Sequence, residues 1–307
     1  MRVGILIQDL EEQEKIIAND LREEGFEVEL YDLRKASIEE MAKNDVVLNR
    51  VFASVANRNY NDNLLALEQL RYLESRGVKC LNSYFTTKCD YSKHFSAQTM
   101  IKAGIRSPDT FLIRTMDDLS SAKEFAEKYG LLDGTPVVLK RDIGGRGKDI
   151  HLIKNMEELE EKVEIALTEA KDDGYSAGYI LQEFVDSILS HDYRVSMVNG
   201  EIVYSMTRSF VADEESGRAW ISSMTLGSKE EKVELPKEIK EISLGATKAI
   251  GAFFNDTDVM VGKKGAYIIE NNPTPNFAKR QEGNESSKRE IVISKLVEEI
   301  KRAGNEK

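Results

Sequence analysis

The feature that most constrains the fold is the alternation of short apolar runs with amphipathic segments over the first part of the chain. Apolar runs that suit buried strands occupy residues 2–7, 26–31, 45–48 and 78–81. Amphipathic stretches at residues 11–24 and 63–76 lie between them, each followed by a glycine that suits a helix C-cap. Strands that alternate with helices pair in parallel, because each helix returns the chain to the same end of the sheet. The sequence therefore predicts a small open parallel α/β sheet at the N-terminus.

Polar residues directly follow three of these predicted strands. Gln8 follows the first run, Asn49 and Arg50 follow the third, and Asn82 follows the fourth. Open parallel sheets bind ligands beyond the carboxyl ends of their strands, so these side chains are candidates for substrate contact. Arg50 is a cation and is therefore the candidate for holding a substrate carboxylate.

The pattern changes after residue 86. Helices are predicted at residues 86–103 and 117–129, with strands at 110–113, 136–141 and 150–153. From residue 178 onward strands at 179–185, 193–198 and 201–209 follow one another through short turns, which is typical of antiparallel pairing. A helix at 237–254, strands at 258–261 and 266–271, and a helix near 286–303 complete the chain. The whole is predicted to be a mixed α/β (α+β) protein.

Composition excludes several classes of protein. The 307 residues carry 43 basic and 54 acidic side chains, and the net charge of −11 disfavours broad binding to nucleic acid or to an anionic membrane. No apolar run approaches the roughly 18 residues of a membrane-spanning helix, and no signal-peptide pattern is present. Two cysteines and three scattered histidines argue against a disulfide scaffold and against a zinc site. These observations predict an acidic cytoplasmic protein.

The most distinctive local segment is a glycine-rich loop after a predicted strand. Lys140 ends the strand, and the loop continues as Arg141-Asp142-Ile143-Gly144-Gly145-Arg146-Gly147-Lys148. Backbone N–H groups can approach an anion closely where side chains are missing, and the cations neutralise its charge, so the loop suits phosphates. The spacing matches neither the Walker A motif nor the dinucleotide fingerprint. Such glycines also occur in ordinary hairpin turns, and that interpretation stays open.

Two further segments suit a nucleotide. Gln182-Glu183-Phe184-Val185 ends an apolar strand, where backbone groups and the Glu183 carboxylate can read an adenine amino group. Asp192 and Arg194 lie on one face of the next strand, since side chains alternate with period two, and Arg208 ends the strand after it. An aspartate and two arginines that face one space suit a polyphosphate. The alternative interpretation of the first segment is a strand end with one exposed acid. The alternative for the aspartate and the two arginines is a set of surface ion pairs.

Two carboxylates and an amide mark a predicted metal site. Asp258 lies in one predicted strand, and Glu270 and Asn272 lie on one face of the next. Their oxygens are hard ligands, suited to Mg²⁺ that bridges phosphates and unsuited to zinc. Two neighbouring carboxylates would repel each other unless a cation lay between them. The pattern therefore favours Mg²⁺, with Mn²⁺ as the substitute ion.

In this order, the segments resemble the ATP-grasp superfamily and, within it, the RimK-like carboxylate–amine ligases. The resemblance covers most of the chain and implies three units. These are a pre-ATP-grasp α/β domain at residues 1–85, an N-terminal ATP-grasp subdomain at 86–181 and a C-terminal ATP-grasp subdomain at 182–307. It also implies a role for Lys93. In the family, the first ATP-contacting lysine lies in a segment that is matched here by Ser92-Lys93 followed by Gly104-Ile105-Arg106-Ser107-Pro108.

The resemblance implies a role for each marked residue. For ATP binding it implies Lys93, Lys140, Asp142, Gly144, Gly145, Arg146, Gly147, Gln182, Glu183, Phe184, Val185 and Asp192. Asp258, Glu270 and Asn272 match the metal triad, the last two within the Glu-x-Asn signature of the family. Arg194 and Arg208 match the arginines that face the acyl phosphate and the ATP phosphates in catalysis.

The chain departs from the family pattern at two places that face the acceptor substrate in the family. RimK-like ligases usually continue as Glu-x-Asn-x-x-Pro-Gly, but Asn276 stands in place of that glycine. The usual Arg-Thr-Asn or Arg-Ser-Asn segment is replaced by Trp220-Ile221-Ser222-Ser223-Met224-Thr225. Asn276 therefore joins Arg50 as a candidate substrate residue, and the acceptor of the best-known members does not carry over.

The resemblance implies an ADP-forming ligase that makes an amide bond through an acyl phosphate. It implies ATP and Mg²⁺ as cofactors, an amino acid such as glutamate as one substrate, and a small molecule, peptide or protein as the other. A ligase that modifies a ribosomal peptide is one alternative, and a nucleotide-binding regulator without turnover is another. The family also suggests a homodimer or homotetramer, with neither nucleic acid nor membrane as a partner.

Overall fold

The computed structural model describes residues 1–145, 149–172, 174–212, 217–222, 227–276 and 285–305. Its first part is a four-stranded parallel sheet in the order β2-β1-β3-β4. The elements are β1 (Arg2–Ile7), α1 (Glu12–Glu23), β2 (Glu27–Asp32), α2 (Ile38–Met41), β3 (Val46–Asn49), a 3-10 turn (Ala53–Asn57), α3 (Tyr60–Ser75) and β4 (Lys79–Leu81). The predicted parallel α/β sheet is confirmed, and α2 is a short helix that the sequence pattern missed.

The single helix predicted over residues 86–103 is wrong, because the chain forms α4 (Tyr84–Tyr91) and α5 (Lys93–Lys102) instead. Ser92 separates the two helices with an extended backbone of φ −99° and ψ 113°. Its hydroxyl accepts a hydrogen bond from Phe95 N, which caps α5, and donates to the Asp142 carboxylate at 2.8 Å. The break therefore fixes the start of α5.

The second sheet is antiparallel and has the strand order β5-β8-β6-β7. Its elements are β5 (Thr110–Ile113), α6 (Leu119–Lys128), β6 (Val137–Arg141), β7 (Ile150–Ile153), α7 (Met156–Asp172) and β8 (Tyr179–Glu183). Leu70 of α3 and Leu139 of β6 belong to one buried cluster. The parallel sheet and the second sheet therefore share a hydrophobic core.

The third sheet is also antiparallel, in the order β13-β10-β9-β14-β15. Its strands are β9 (His191–Val198), β10 (Glu201–Ser209), β13 (Glu230–Lys232), β14 (Phe254–Gly262) and β15 (Gly265–Asn272). A separate pair, β11 (Val211–Ala212) and β12 (Ala219–Ile221), and the helices α8 (Lys237–Ala249) and α9 (Glu285–Asn305) accompany it. The mixed α/β class predicted from the sequence is confirmed.

The helix predicted over residues 237–254 is too long, because α8 ends at Ala249 and β14 begins at Phe254. Gly251 has φ 63°, a conformation that residues with side chains rarely adopt and that often ends a helix. Phe254 then packs with Ile5 of β1 and Leu296 of α9 in a second buried cluster. The N-terminal sheet therefore fixes the first residues of β14.

The expected unit boundaries fall inside regular elements. Residue 85 lies within α4, and the boundary between 181 and 182 lies within β8. β8 pairs with β6 along its whole length, so the chain leaves the second sheet after Glu183. The division into three units stays a prediction.

Asn82 connects the N-terminal sheet to the third sheet. Its Nδ2 donates to the carbonyl oxygens of Phe254 at 2.9 Å and Pro273 at 2.6 Å. Its Oδ1 accepts from the N–H groups of Phe253 at 2.6 Å and Phe254 at 3.2 Å. Because the residue is only 2% exposed, water cannot readily replace these bonds. One amide therefore holds both the start of β14 and the loop that follows β15.

Asn82→Ala is expected to lower the free energy of unfolding by about 3 kcal/mol, because it leaves several buried backbone groups without partners. Urea denaturation followed by circular dichroism measures this loss. Asn61→Ala, which changes an exposed asparagine of α3, is the matched control and should change the free energy by less than about 0.5 kcal/mol. Equal losses in the two variants would contradict the connecting role of Asn82.

Candidate active site

A cleft of about 720 Å³, counted with its open mouth, lies between the second and third sheets. Strands β6, β7 and β8 line one wall, and β9, β14 and β15 line the other. Among the residues singled out by sequence, the cleft is lined by Lys140, Gln182, Glu183, Phe184, Val185, Asp192, Asp258 and Glu270. Positions far apart in the chain therefore meet in one space of a size that suits a small ligand.

Lys140 reaches the cleft from β6 and is 8% exposed. Burial lowers the pKa of its ammonium to about 8, because the charged form loses its hydration. Within the described residues this ammonium has neither a hydrogen bond nor an ion pair. An anion in the cleft would offset the cost of burying the charge, so the position suits a phosphate.

Lys93 is the first residue of α5 and lies near the same space. Its Nζ donates to the carbonyl oxygen of Gly144 at 2.8 Å and lies 3.5 Å from Glu270 Oε1. Burial has the largest effect on the pKa of Lys140. Glu270 raises that pKa and Lys93 lowers it, each by less than burial does. The two lysines predicted to contact ATP therefore converge with one carboxylate of the predicted metal site.

Asp142 fixes the start of α5 against the glycine loop. Its carboxylate accepts hydrogen bonds from Ser92 Oγ at 2.8 Å and from His94 N at 2.7 Å, and its backbone oxygen accepts from Lys93 N. Burial raises the pKa of this carboxyl group, while these hydrogen bonds lower it. The structure thus gives Asp142 a clear part in positioning Lys93, and its predicted contact with ATP stays a prediction.

The first half of the glycine loop lies against the N-terminal sheet. Asn57 Nδ2 donates to the carbonyl oxygen of Gly145 at 2.9 Å. Gly144 has φ 152°, and a Cβ there would lie 2.8 Å from Asn57 Oδ1, which is too close for any side chain. Arg146 and Gly147, which were also predicted to bind phosphate, lie outside the described residues, as does Lys148.

The predicted adenine segment follows the end of β8. Glu183 is tied to the adjacent edge of the sheet, since its N–H donates to Asp109 O at 2.9 Å and its Oε2 accepts from Asp109 N at 3.2 Å. Gln182 and Val185 are buried. The Phe184 ring meets Trp220 edge to face at 5.9 Å, so the β11–β12 pair lies beside this segment.

Two arginines hold two aspartates at the centre of the third sheet. Arg194 donates to both carboxylate oxygens of Asp258, each at 2.8 Å. Arg208 donates to Asp192 Oδ1 at 3.0 Å and lies 3.1 Å from Asp258 Oδ2. Burial raises the pKa of Asp258, but the two guanidinium groups outweigh it and hold that pKa at about 2. Asp258 is therefore a carboxylate at any neutral pH.

The predicted metal ligands lie on two adjacent strands. In the antiparallel register, Asp258 of β14 is opposite Glu270 of β15, and Asp256 is opposite Asn272. Among the described residues, Asp258 Oδ1 accepts one hydrogen bond and so keeps a lone pair for a cation. The Glu270 side chain is 32% exposed and its ionic contact is Lys93. Asn272 donates through Nδ2 to Asp256 O at 3.2 Å, which leaves its amide oxygen as a donor to metal.

This donor set fits Mg²⁺, because two carboxylates and one amide oxygen are hard ligands. Over the described ranges, no three His, Cys, Asp or Glu side chains are grouped closely enough to hold a metal alone. The assignment of Asp258, Glu270 and Asn272 as metal ligands stays a prediction.

Arg50 joins the N-terminal sheet to the loop after β15. It is 3% exposed and donates to Gln13 Oε1 at 2.9 Å and to the carbonyl oxygen of Pro275 at 3.0 Å, with Glu14 Oε1 at 3.4 Å. Asn276, the other candidate for substrate contact, is exposed and follows directly. The structure thus places both candidates at one loop, and their contact with substrate stays a prediction.

Asp90 is a site residue that the sequence did not reveal. Its carboxylate accepts a hydrogen bond from Thr274 Oγ1 at 2.7 Å, within the same loop. Burial, with a smaller contribution from the nearby Glu270, raises the pKa of Asp90 to about 7, although the hydrogen bond from Thr274 lowers it. Nothing local marks this residue, because its partner lies 184 positions away.

Among the helices that the structure describes, none is both long and apolar enough to cross a membrane.

Residues 91–296 match the family model of the RimK-like ATP-grasp domain, which is more than half of the chain. A probable alpha-L-glutamate ligase of Coxiella burnetii is 24% identical over 263 residues, covering 86% of this chain and 78% of that protein. The Glutamate–LysW ligase ArgX of Sulfolobus acidocaldarius is 27% identical over 284 residues, covering 90% and 91%.

Solved structures show the same fold. The D-alanine–D-alanine ligase from Bacillus anthracis complexed with ATP has a TM-score of 0.66 at 19% identity, over 99% of this chain and 97% of that one. The ATP-grasp ligase PsnB complexed with minimal precursor, Mg and ADP has a TM-score of 0.60 at 15% identity, over 98% and 97%.

These findings confirm the family and the fold class that the sequence motifs predicted. ATP-grasp ligases use ATP and Mg²⁺, which the lysines and hard ligands of the cleft suit. The chain belongs to the RimK-like ATP-grasp family and is an ATP-dependent ligase that joins a carboxylate to an amine through a C–N bond.

Proposed function

We propose that this ligase activates a substrate carboxylate as an acyl phosphate and joins it to the amino group of an amino acid, with glutamate as the first choice. The convergence of Lys93, Lys140 and Glu270 beside the Asp258 ion pairs carries the proposal. Cations and hard oxygen ligands that meet in one partly buried cleft suit a nucleoside triphosphate with Mg²⁺.

The residues divide the work along the cleft. The segment from Gln182 to Val185 holds the adenine, and Lys93, Lys140 and the glycine loop neutralise the phosphates. Asp258, Glu270 and Asn272 would hold Mg²⁺, which would offset the negative charge of the phosphates. Mn²⁺ could replace it, because it prefers the same ligands. Arg194 faces the acyl phosphate, and Arg208 fixes Asp192 beside the phosphates.

The reaction has two steps that balance in atoms and charge. A carboxylate oxygen of the substrate attacks the γ-phosphorus of ATP, the bond from phosphorus to the ADP oxygen breaks, and ADP leaves. The amine nitrogen then attacks the acyl carbon and the C–O bond to phosphate breaks. Phosphate leaves with the electron pair, and the nitrogen gives up its extra proton to the solvent. The protein contributes position and charge stabilisation.

Glutamate is the proposed amine because both relatives described above carry glutamate in their names. The acceptor is a small molecule, a peptide or a protein. Asn276 in place of the family's glycine and the different segment at residues 220–222 both lie where the acceptor is expected, so the acceptor differs from that of the best-known members.

A ribosomal peptide as acceptor is the second candidate, because the PsnB neighbour is complexed with a minimal precursor. A regulator without turnover is disfavoured, since the lysine pair and the three metal ligands are all present. We further propose that the enzyme works in the cytoplasm as a homodimer or homotetramer.

The first test is ADP release from Mg²⁺-ATP with each of the twenty amino acids, in the presence of a cell metabolite extract as acceptor source. Release that depends on one amino acid, glutamate by this proposal, supports the ligase and identifies its amine. ATP binding without release under any condition would contradict a metabolite acceptor, and a library of ribosomal peptides would then replace the extract.

Glu270→Gln is expected to reduce ADP release at least a hundredfold, because Mg²⁺ loses an anionic ligand. The fold should persist, since the ionic contact of Glu270 is with Lys93 alone among the described residues. Glu241→Gln, at an exposed position of α8, is the matched control. Wild-type ADP release by Glu270→Gln, with an unchanged unfolding midpoint, would overturn the metal assignment.

ATP affinity is expected to fall about fivefold as the pH rises from 8 to 9. Without ligand, Lys140 loses its proton near pH 8, so binding of the polyphosphate at higher pH requires uptake of a proton. Emission from Trp220, the single tryptophan and part of the cleft lining, follows the titration with ATP. Lys140→Arg keeps its charge and should bind ATP with a flat pH profile; an equally steep profile would refute the assignment.

A further inference from the structure

Asp256 is a buried acid that the mechanism above does not use. It lies in β14 and is 6% exposed. Its Oδ1 is inaccessible to solvent and lacks a hydrogen-bond partner within the described part of the chain. A buried carboxylate oxygen without a donor is costly, so the position suits a ligand that brings one.

Asp256 lies on β14, on the strand face that also carries two residues of the cleft wall. Side chains on one face of a strand recur at every second residue, so Met260, Asp258 and Asp256 share a face. Met260 lines the cleft together with the adenine segment, and Asp258 lies at the metal site. Asp256 lies about 7 Å beyond Asp258, in the direction away from Met260. It therefore follows the phosphate end of the nucleotide, where the acyl phosphate and the amine must meet.

Within the described residues, the groups around Asp256 do not supply a donor to its Oδ1. Across the sheet, Asp256 is opposite Asn272 on β15 and Ser196 on β9. Burial lowers the pKa of Arg194, whereas Asp258 raises it and Asp256 raises it to a lesser degree. The effect of Asp256 indicates that this aspartate and Arg194 face the same space. Both Nε and Nη2 of Arg194 donate to Asp258, however, and are not directed at Asp256.

We propose that Asp256 accepts a hydrogen bond from the amino group of the amine substrate and thereby selects an amine that arrives as an ammonium ion. That ion gives up one proton to the solvent before the freed lone pair of its nitrogen attacks the acyl carbon. This inference rests on the proposed function, because it places that nitrogen beside the acyl phosphate that Arg194 faces. The same carboxylate repels the carboxylate groups of an amino acid, so it also sets the orientation in which the amino acid binds. An ion pair between Asp256 and another part of the chain is the rival explanation.

The test separates the two half-reactions in the full-length enzyme. The amine is the amino acid identified by ADP release, L-glutamate by our proposal, and hydroxylamine serves as a small neutral nucleophile that traps the acyl phosphate as a hydroxamate. In Asp256→Asn, which keeps the shape of the side chain, we expect the KM for the amino acid to rise at least tenfold. The KM for ATP and the rate of hydroxamate formation should stay within twofold of wild type.

Asp133→Asn removes the same charge at an exposed position and is the matched control. Asp256→Ala should raise this KM at least as much as Asp256→Asn does, because asparagine loses the charge but keeps an acceptor oxygen, whereas alanine loses both. An amino-acid KM within twofold of wild type would overturn the inference, and so would an equal loss of amide and hydroxamate formation. If the wild-type enzyme forms neither ADP nor hydroxamate, the proposed function fails instead.

Discussion

The ion pairs of Arg194 and Arg208 with Asp258 and Asp192 are the constraint on which the rest of the site depends. Asp258, Asp192 and Arg208 are buried and Arg194 is partly buried, and a buried charge without its partner destabilises a protein by several kcal/mol. They lie on three neighbouring strands, β9, β10 and β14, so the pairs hold in place the strands that line the cleft. Because Asp258 is kept ionised, the cleft presents a carboxylate to a cation before any ligand arrives.

The N-terminal sheet and the segment that follows it are tied to the loop after β15. Asn82 and Arg50 each donate to a carbonyl oxygen in the loop after β15, at Pro273 and Pro275. Asp90 holds Thr274 between them. Three side chains from outside the third sheet therefore set the path of the loop that carries Asn276. A substitution of any of them is expected to change the proposed acceptor site and to leave the residues of the proposed nucleotide site in place.

Periodicity and glycine positions predict most elements, because a buried strand or an amphipathic helix is encoded within a few residues. The Glu-x-Asn spacing likewise places Glu270 and Asn272 on one face of a strand. The break at Ser92 was not predictable, since it depends on Asp142, which lies 50 positions away. Asp90 was not predictable for the same reason. Asp256 was not predictable either, because its burial, and the lack of a hydrogen-bond donor to its Oδ1 among the described residues, result from the packing of β9 and β15 on either side of β14.

The hydrogen bond from Asn57 to Gly145 spans 88 positions and connects the 3-10 turn after β3 to the loop beside the phosphate site. Gly144 fits there because it lacks a side chain that would meet the same asparagine. The end of β3 and the start of the glycine loop therefore cannot move independently while this bond holds. A change in the sequence around Asn57 is transmitted to a loop that lies in a different sheet.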